Sequence, residues 1–161
     1  MVDILKKFIF NIIMIFRFLN HIFLYDIWFY ITHYVLHKKY LYKKIHKYHH
    51  QINYNSLHFN DAYKSHFLED IIQSSGIFLP FFINIQYIPF ILSSLFAITR
   101  GFIRHDKRYI WLVGNHHILH HKYPNYNYGE YWLDTLLGTK YPNKEEYVYG
   151  KIYNKKLKNI F

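Results

Sequence analysis

Cysteine is absent from this chain of 161 residues, which excludes disulfides, thiolate metal ligands and a cysteine nucleophile. Acidic residues are scarce: 10 Asp and Glu stand against 20 Lys and Arg, a formal charge of +10. Nucleic acid could use such an excess, but no recognisable binding module accompanies it, so nucleic acid is not an expected partner. Lys6 and Lys7 precede the apolar run from Phe8 to Phe16 with no small-residue cleavage site, which argues against a removable signal peptide. No linker divides the chain and no long-period repeat is visible, so one domain over residues 1–161 is expected. Also missing is a His-Glu-x-x-His pattern, which would set a carboxylate base beside a zinc ion.

What is present is grease and histidine. The chain is 52% hydrophobic and 22% aromatic, which together with the basic segments fits a membrane protein. Phe8 to Ile31 is mostly apolar and would reach about 36 Å as a helix, enough for a hydrocarbon core of about 30 Å. Arg17, Asn20, His21 and Asp26 interrupt it, so an in-plane segment followed by a shorter helix competes with a single span. Ile71 to Thr99 carries no formal charge, and Pro80 and Pro89 bracket a stretch in which Asn84 and Gln86 supply a polar turn. Lys38, Lys39, Lys43, Lys44 and Lys47 precede this run, and Arg100, Arg104, Lys107 and Arg108 follow it. Basic residues at both ends favour a hairpin with both ends cytoplasmic. After Gly114 the segment from Tyr123 to Gly129 reads as a loop, and Glu130 to Thr139 as a short amphipathic helix closed by Gly138.

Nine of the 13 histidines fall in two stretches, DIWFYITHYVLHKKYLYKKIHKYHHQ from Asp26 to Gln51 and GNHHILHH from Gly114 to His121. His33 and His37 are four apart; His46, His49 and His50 repeat the spacing of His117, His120 and His121. Residues three and four apart share a helix face, so each stretch can aim several imidazoles at one point. Those eight residues are candidate metal ligands. His66, His105 and His116 are further candidates, as ligands or as residues behind them. One ion takes three or four protein ligands, so eight candidates imply two ions, and a site using both stretches requires both on one side of the membrane. Imidazole suits Zn, Cu, Fe or Ni, so the count alone does not name the metal.

The order HxxxH, HxxHH, hydrophobic hairpin, HxxHH resembles the fatty acid hydroxylase and sterol desaturase superfamily of integral membrane di-iron enzymes. Ser65 to Asp70 resembles its His-Pro-Leu-Glu motif with Phe67 in place of proline. HHILHHKYPNYNYGEYWLDTLLGT resembles its closing Asn-Tyr-Gly loop and Trp-Asp helix. The likeness covers roughly residues 26–139. It departs where relatives carry a further His or His pair after the hairpin: Arg100 and Arg104 stand there, leaving His105 as the local candidate.

The resemblance implies an all-α, integral membrane helical domain with a cytoplasmic, histidine-lined di-metal centre, located in the endoplasmic reticulum or its equivalent. It implies two iron ions, which zinc can replace in a purified protein, together with O2 and an external electron donor such as a b-type cytochrome. The expected reaction is hydroxylation or desaturation at a C–H bond of a fatty acyl, sphingoid or sterol lipid. Two alternatives stand beside it: a catalytically inactive lipid-binding or scaffold protein on the same fold, and a zinc-dependent membrane hydrolase. Asp26 and Asp134 are expected to orient ligating imidazoles, which usually donate their other N–H to a carboxylate or carbonyl. For Glu69 and Asp106, capping or a solvated face is the simpler reading. Tyr126, Asn127, Tyr128 and Gly129 are expected at the mouth of the substrate cavity.

Overall fold

The computed structural model describes residues 2–83 and 86–153. Asn84, of the expected polar turn, lies outside the described residues. Among those described there is no strand; seven α-helices alternate with 3-10 turns. Helix α1 runs unbroken over Val2–Leu36, about 52 Å at 1.5 Å per residue. The competing break into an in-plane segment and a shorter helix does not occur. Two of the interrupting polar residues are partnered inside the bundle: His21 meets Ser93 at 3.3 Å, and Asp26 meets Arg100.

The charge-free stretch forms the hairpin. Its first arm is α3 (Phe67–Ser74) continued by a 3-10 segment over Ser75–Phe82, and its second is α4 (Tyr87–Ile103). The arms measure roughly 28 and 25 Å, longer than the sequence pattern allows because the first begins four residues earlier and the second ends four later. Both pack along α1. The Trp28 indole N–H donates to the Ile72 carbonyl at 2.8 Å, and Gly76 lets the backbone close in, since a Cβ there would lie 2.3 Å from the Trp28 ring. Phe81 and Phe90 meet edge to face between the arms, centroids 4.8 Å apart.

Outward faces of these helices are apolar and uncovered, from Ile4, Phe8 and Ile12 on α1 to Phe78, Ile91 and Leu95 on the hairpin. Among the described residues one helix, Asp3–Leu36, is long and apolar enough to cross a membrane. The opposite end of the bundle is built differently. Short helices α2 (Lys39–Lys44), α5 (Ile110–Val113), α6 (His116–Lys122) and α7 (Tyr131–Leu136) gather where α1 and α4 end and α3 begins. There the buried side chains are mostly histidine, carboxylate and arginine, around a small apolar knot of Tyr30, Tyr128 and Leu133.

Candidate metal centre

Nine imidazoles converge at this end in two groups, His33, His37, His46, His50 and His120 in one, His49, His105, His117 and His121 in the other. Within each group the nearest ring nitrogens all lie within 4.8 Å of one another. Helical spacing accounts for the partition on α1 and α6, whereas His46–Gln51 is a 3-10 segment, in which residues three apart eclipse, so packing and not spacing keeps His46 with His50. The i,i+4 pairs 33/37, 46/50 and 117/121 stay together, while the residue three along, His49 or His120, crosses to the neighbouring group. His37 keeps this register although it lies just past the end of α1, because its N–H still donates to the His33 carbonyl at 3.1 Å. The groups adjoin: the rings of His50 and His121 are 4.9 Å apart, and those of His117 and His120 are 5.6 Å apart.

The protons fix what the rings can do. His49 donates its Nδ1–H to the Lys64 carbonyl at 3.3 Å, and His105 donates its own to the Gly101 carbonyl at 2.7 Å. A carbonyl only accepts, so both Nε2 atoms carry lone pairs, and these face each other at 3.2 Å. His33 and His120 are held likewise by the carbonyls of Tyr128 (2.5 Å) and Tyr126 (2.6 Å). Their Nε2 atoms point at His46 (3.0 Å) and at His37 and His50 (3.2 and 3.0 Å). Opposed lone pairs in a buried pocket repel, and a cation between them removes the conflict. His121 is buried with neither ring nitrogen hydrogen-bonded, and the His117 Nδ1 is unpartnered too. Ligand nitrogens about 2.0–2.1 Å from one ion lie roughly 2.9–3.4 Å apart, the spacing seen here. The residues therefore fit a pair of divalent metal ions.

Electrostatics keep the rings neutral. Burial holds His46 down to about 3 and His49 to about 4, and pushes His105, His117, His120 and His121 well below the ordinary value. A proton on any one of them would be desolvated and would face several others. In the metal-free protein this has a sign. These rings bind protons more weakly folded than unfolded, so stability is intact above about pH 6.5 and falls below it, each ring costing about 1.4 kcal/mol per pH unit. The expected result is a thermal midpoint of metal-free protein that is flat from pH 8 to 7 and drops steeply below about pH 6; an unchanged midpoint at pH 5 would contradict the burial.

Several expected roles shift. His105, reached in the sequence only as a lone candidate, completes the second group. His66 caps α3 instead, its Nδ1 accepting the Leu68 N–H at 3.2 Å. His116 points away from both groups and donates to Asp134 at 3.0 Å. Asp26 orients no imidazole; Arg100 and, at 3.4 Å, the Trp132 indole hold it. Asp134 orients His116 and also gathers the N–H groups of Tyr128 and Gly129 and the Thr139 hydroxyl. It thus fixes the loop whose carbonyls hold His33 and His120. That loop is a buttress behind the rings rather than a cavity mouth. Asn127 sits at φ 61°, a left-handed conformation Asn tolerates, and its amide donates to the His116 carbonyl at 3.0 Å. A Cβ on Gly129 would lie 2.8 Å from the Tyr30 ring.

None of these loop residues lines the cavity that reaches the rings. That cavity, of about 460 Å³, is lined by Tyr25, Phe29, Ile77, Ala97 and Phe102 and reaches His33, His49, His105 and His117. Its walls are apolar where the helices meet and histidine-bearing at the end. Glu69 also lines it. Rather than capping α3 into solvent, Glu69 is 2% exposed and holds the His46 Nδ1 at 2.8 Å. Asp106 does serve as a cap, accepting the N–H groups of Arg108 and Phe59 at 2.9 and 3.2 Å. Replacing Glu69 with Ala is expected to weaken metal binding by the five-imidazole group about 10–100-fold in chelator competition. Glu69→Gln, which keeps an acceptor for His46, should stay within about threefold.

Helices throughout the described residues, uncovered apolar faces and histidines gathered at one end define a class: helical proteins with an apolar body and a polyhistidine end. The chain belongs to the fatty acid hydroxylase family, whose model matches residues 18–139. It is 30% identical over 133 residues to Delta(7)-sterol 5(6)-desaturase erg31 of Schizosaccharomyces pombe, an alignment covering 78% of this chain and 44% of that relative. The chain thus spans less than half the length of the curated relative it matches. No solved structure matches it.

Proposed function

We propose that this chain is a single membrane domain carrying the centre of an O2-dependent lipid hydroxylase or desaturase. Its motif-bearing core is residues 26–139. His33, His37, His46, His50 and His120 hold one iron, and His49, His105, His117 and His121 hold the other. The observation that carries the reading is the set of Nε2 lone pairs, fixed by backbone carbonyls and at His46 by Glu69, opposed at about 3 Å beside an apolar cavity. Iron at such a site supplies O2 activation, with electrons from an external donor such as a b-type cytochrome.

The chain's own residues do the rest. Phe29, Ala97 and Phe102 exclude water and seat the apolar body of a fatty acyl, sphingoid or sterol substrate, with the C–H to be oxidised at the histidine-lined end. Carbonyls of Tyr126, Tyr128, Lys64 and Gly101 lock ring orientation. Exposed Lys38, Lys39, Lys43, Lys44 and Lys47 leave the same end. They support a cytoplasmic face for the centre by the positive-inside rule, in the endoplasmic reticulum or an equivalent membrane.

The test is metal analysis of protein purified anaerobically, followed by comparative lipidomics of cells with the intact chain, the His49→Ala variant or no chain. The expected result is iron in both groups and a hydroxylated or unsaturated lipid that disappears with the variant. One zinc and no iron would overturn the reading in favour of a hydrolase. Full iron with an unchanged lipid profile would favour the inactive scaffold.

A further inference from the structure

The two histidine groups differ in what stands behind them. The first has five imidazoles, and the Glu69 carboxylate lies against His46 at 2.8 Å. The second has four, backed by backbone carbonyls at His49 and His105 and by nothing at the Nδ1 of His117 or at either nitrogen of His121. It also has a cation for a neighbour. Arg104 directly precedes His105, is 9% exposed, and lines the cavity together with His49, His105 and His117, and with His33 of the first group. It is clamped there: Nη1–H donates to Glu130 at 3.1 Å, and the guanidinium lies over the Phe29 ring at 4.1 Å.

Arg104 belongs to a quartet with Asp26, Arg100 and Glu130. Of the four, Arg104 alone lines the cavity. The quartet's charges cancel as a whole but not locally, because the member on the cavity wall, shared with three of the four imidazoles of the second group and one of the five of the first, is positive. A fixed positive charge on the wall of a buried site disfavours a divalent cation there, since the Coulomb term scales with both charges and burial weakens its screening.

Resting on the di-metal reading above, we propose that the groups load in order, the five-imidazole group tightly and the four-imidazole group more weakly, with Arg104 setting the gap. The experiment is calorimetric titration of the metal-free full chain in detergent with Zn²⁺ alone. Wild type is expected to show two steps, the second at least about tenfold weaker. His121→Ala should erase the weak step and spare the tight one. The double variant Arg104→Gln/Glu130→Gln removes a cation and its partner together, leaving Arg100 paired with Asp26; it should tighten the second step at least about tenfold and leave the first within about threefold. Arg104→Lys, which keeps the charge, should keep the gap. Misfolding only weakens binding, so a gain in affinity cannot come from a damaged variant. Two equal steps in wild type, or a double variant with the wild-type gap or weaker second binding, would overturn the proposal while leaving the di-metal reading standing. No Zn²⁺ binding by wild type would overturn both.

Discussion

Replacing His120 with alanine is expected to halve the iron content and to lower product formation at least about a hundredfold, more than the 10–100-fold typical of residues that merely support a ligand. His120 is 0% exposed and sits between His37 and His50, with its Nε2 3.2 and 3.0 Å from theirs. Its loss opens the middle of the five-imidazole group and strands the Tyr126 carbonyl that held it. His116→Ala is the matched control. In the sequence His116 belongs to the same dense run; in the fold it reaches Asp134 instead. It should keep both irons and lose less than about tenfold in activity, through a loosened loop rather than a missing ligand. Iron quantitation and product analysis on the two variants decide the matter. Iron loss in His116→Ala, or full iron in His120→Ala, would overturn the assignment of the groups.

Why the sequence groups His120 with its neighbours but leaves the place of His116 open is a matter of what a helix repeats. Pairs four apart on one face are visible in the letters, and 33/37, 46/50 and 117/121 stay together in the fold. Which group receives His49 or His120 depends on how three separate helical turns pack, and no local pattern encodes that. His105 stands alone in its stretch, so only the approach of the α4 terminus to α6 reveals it. Glu69 sits at the start of a helix, where a carboxylate ordinarily answers the helix dipole; its burial against His46 is a tertiary fact. The carbonyls that fix the rings have no letter at all. Hence Tyr126 and Tyr128 were legible as loop residues, while their role as buttress was not.

Arg100 shows the same limit with a larger energetic consequence. By sequence it occupies a place where relatives carry histidine, which reads as a damaged ligand set. The fold gives the second group four imidazoles without it, and uses Arg100 to tie α4 to α1 and to the segment before α7. The guanidinium is 3% exposed. It grips the Asp26 carboxylate through both Nη atoms, donates to the Tyr153 hydroxyl at 2.6 Å, and lies 3.3 Å from Glu130. Arg100→Met would leave Asp26 buried with the Trp132 indole at 3.4 Å as its remaining partner. Breaking one side of a buried pair costs about 3–5 kcal/mol because the surviving charge stays desolvated. For a chain of this size that corresponds to a fall in Tm of roughly 6–20 °C. Asp26→Leu/Arg100→Met removes both charges and should recover most of the loss, since an apolar replacement of a buried pair is often neutral. The double-mutant cycle, read by thermal unfolding in detergent, separates the clasp from simple loss of packing: without recovery in the double variant, the contribution of Arg100 would be its bulk and not its charge.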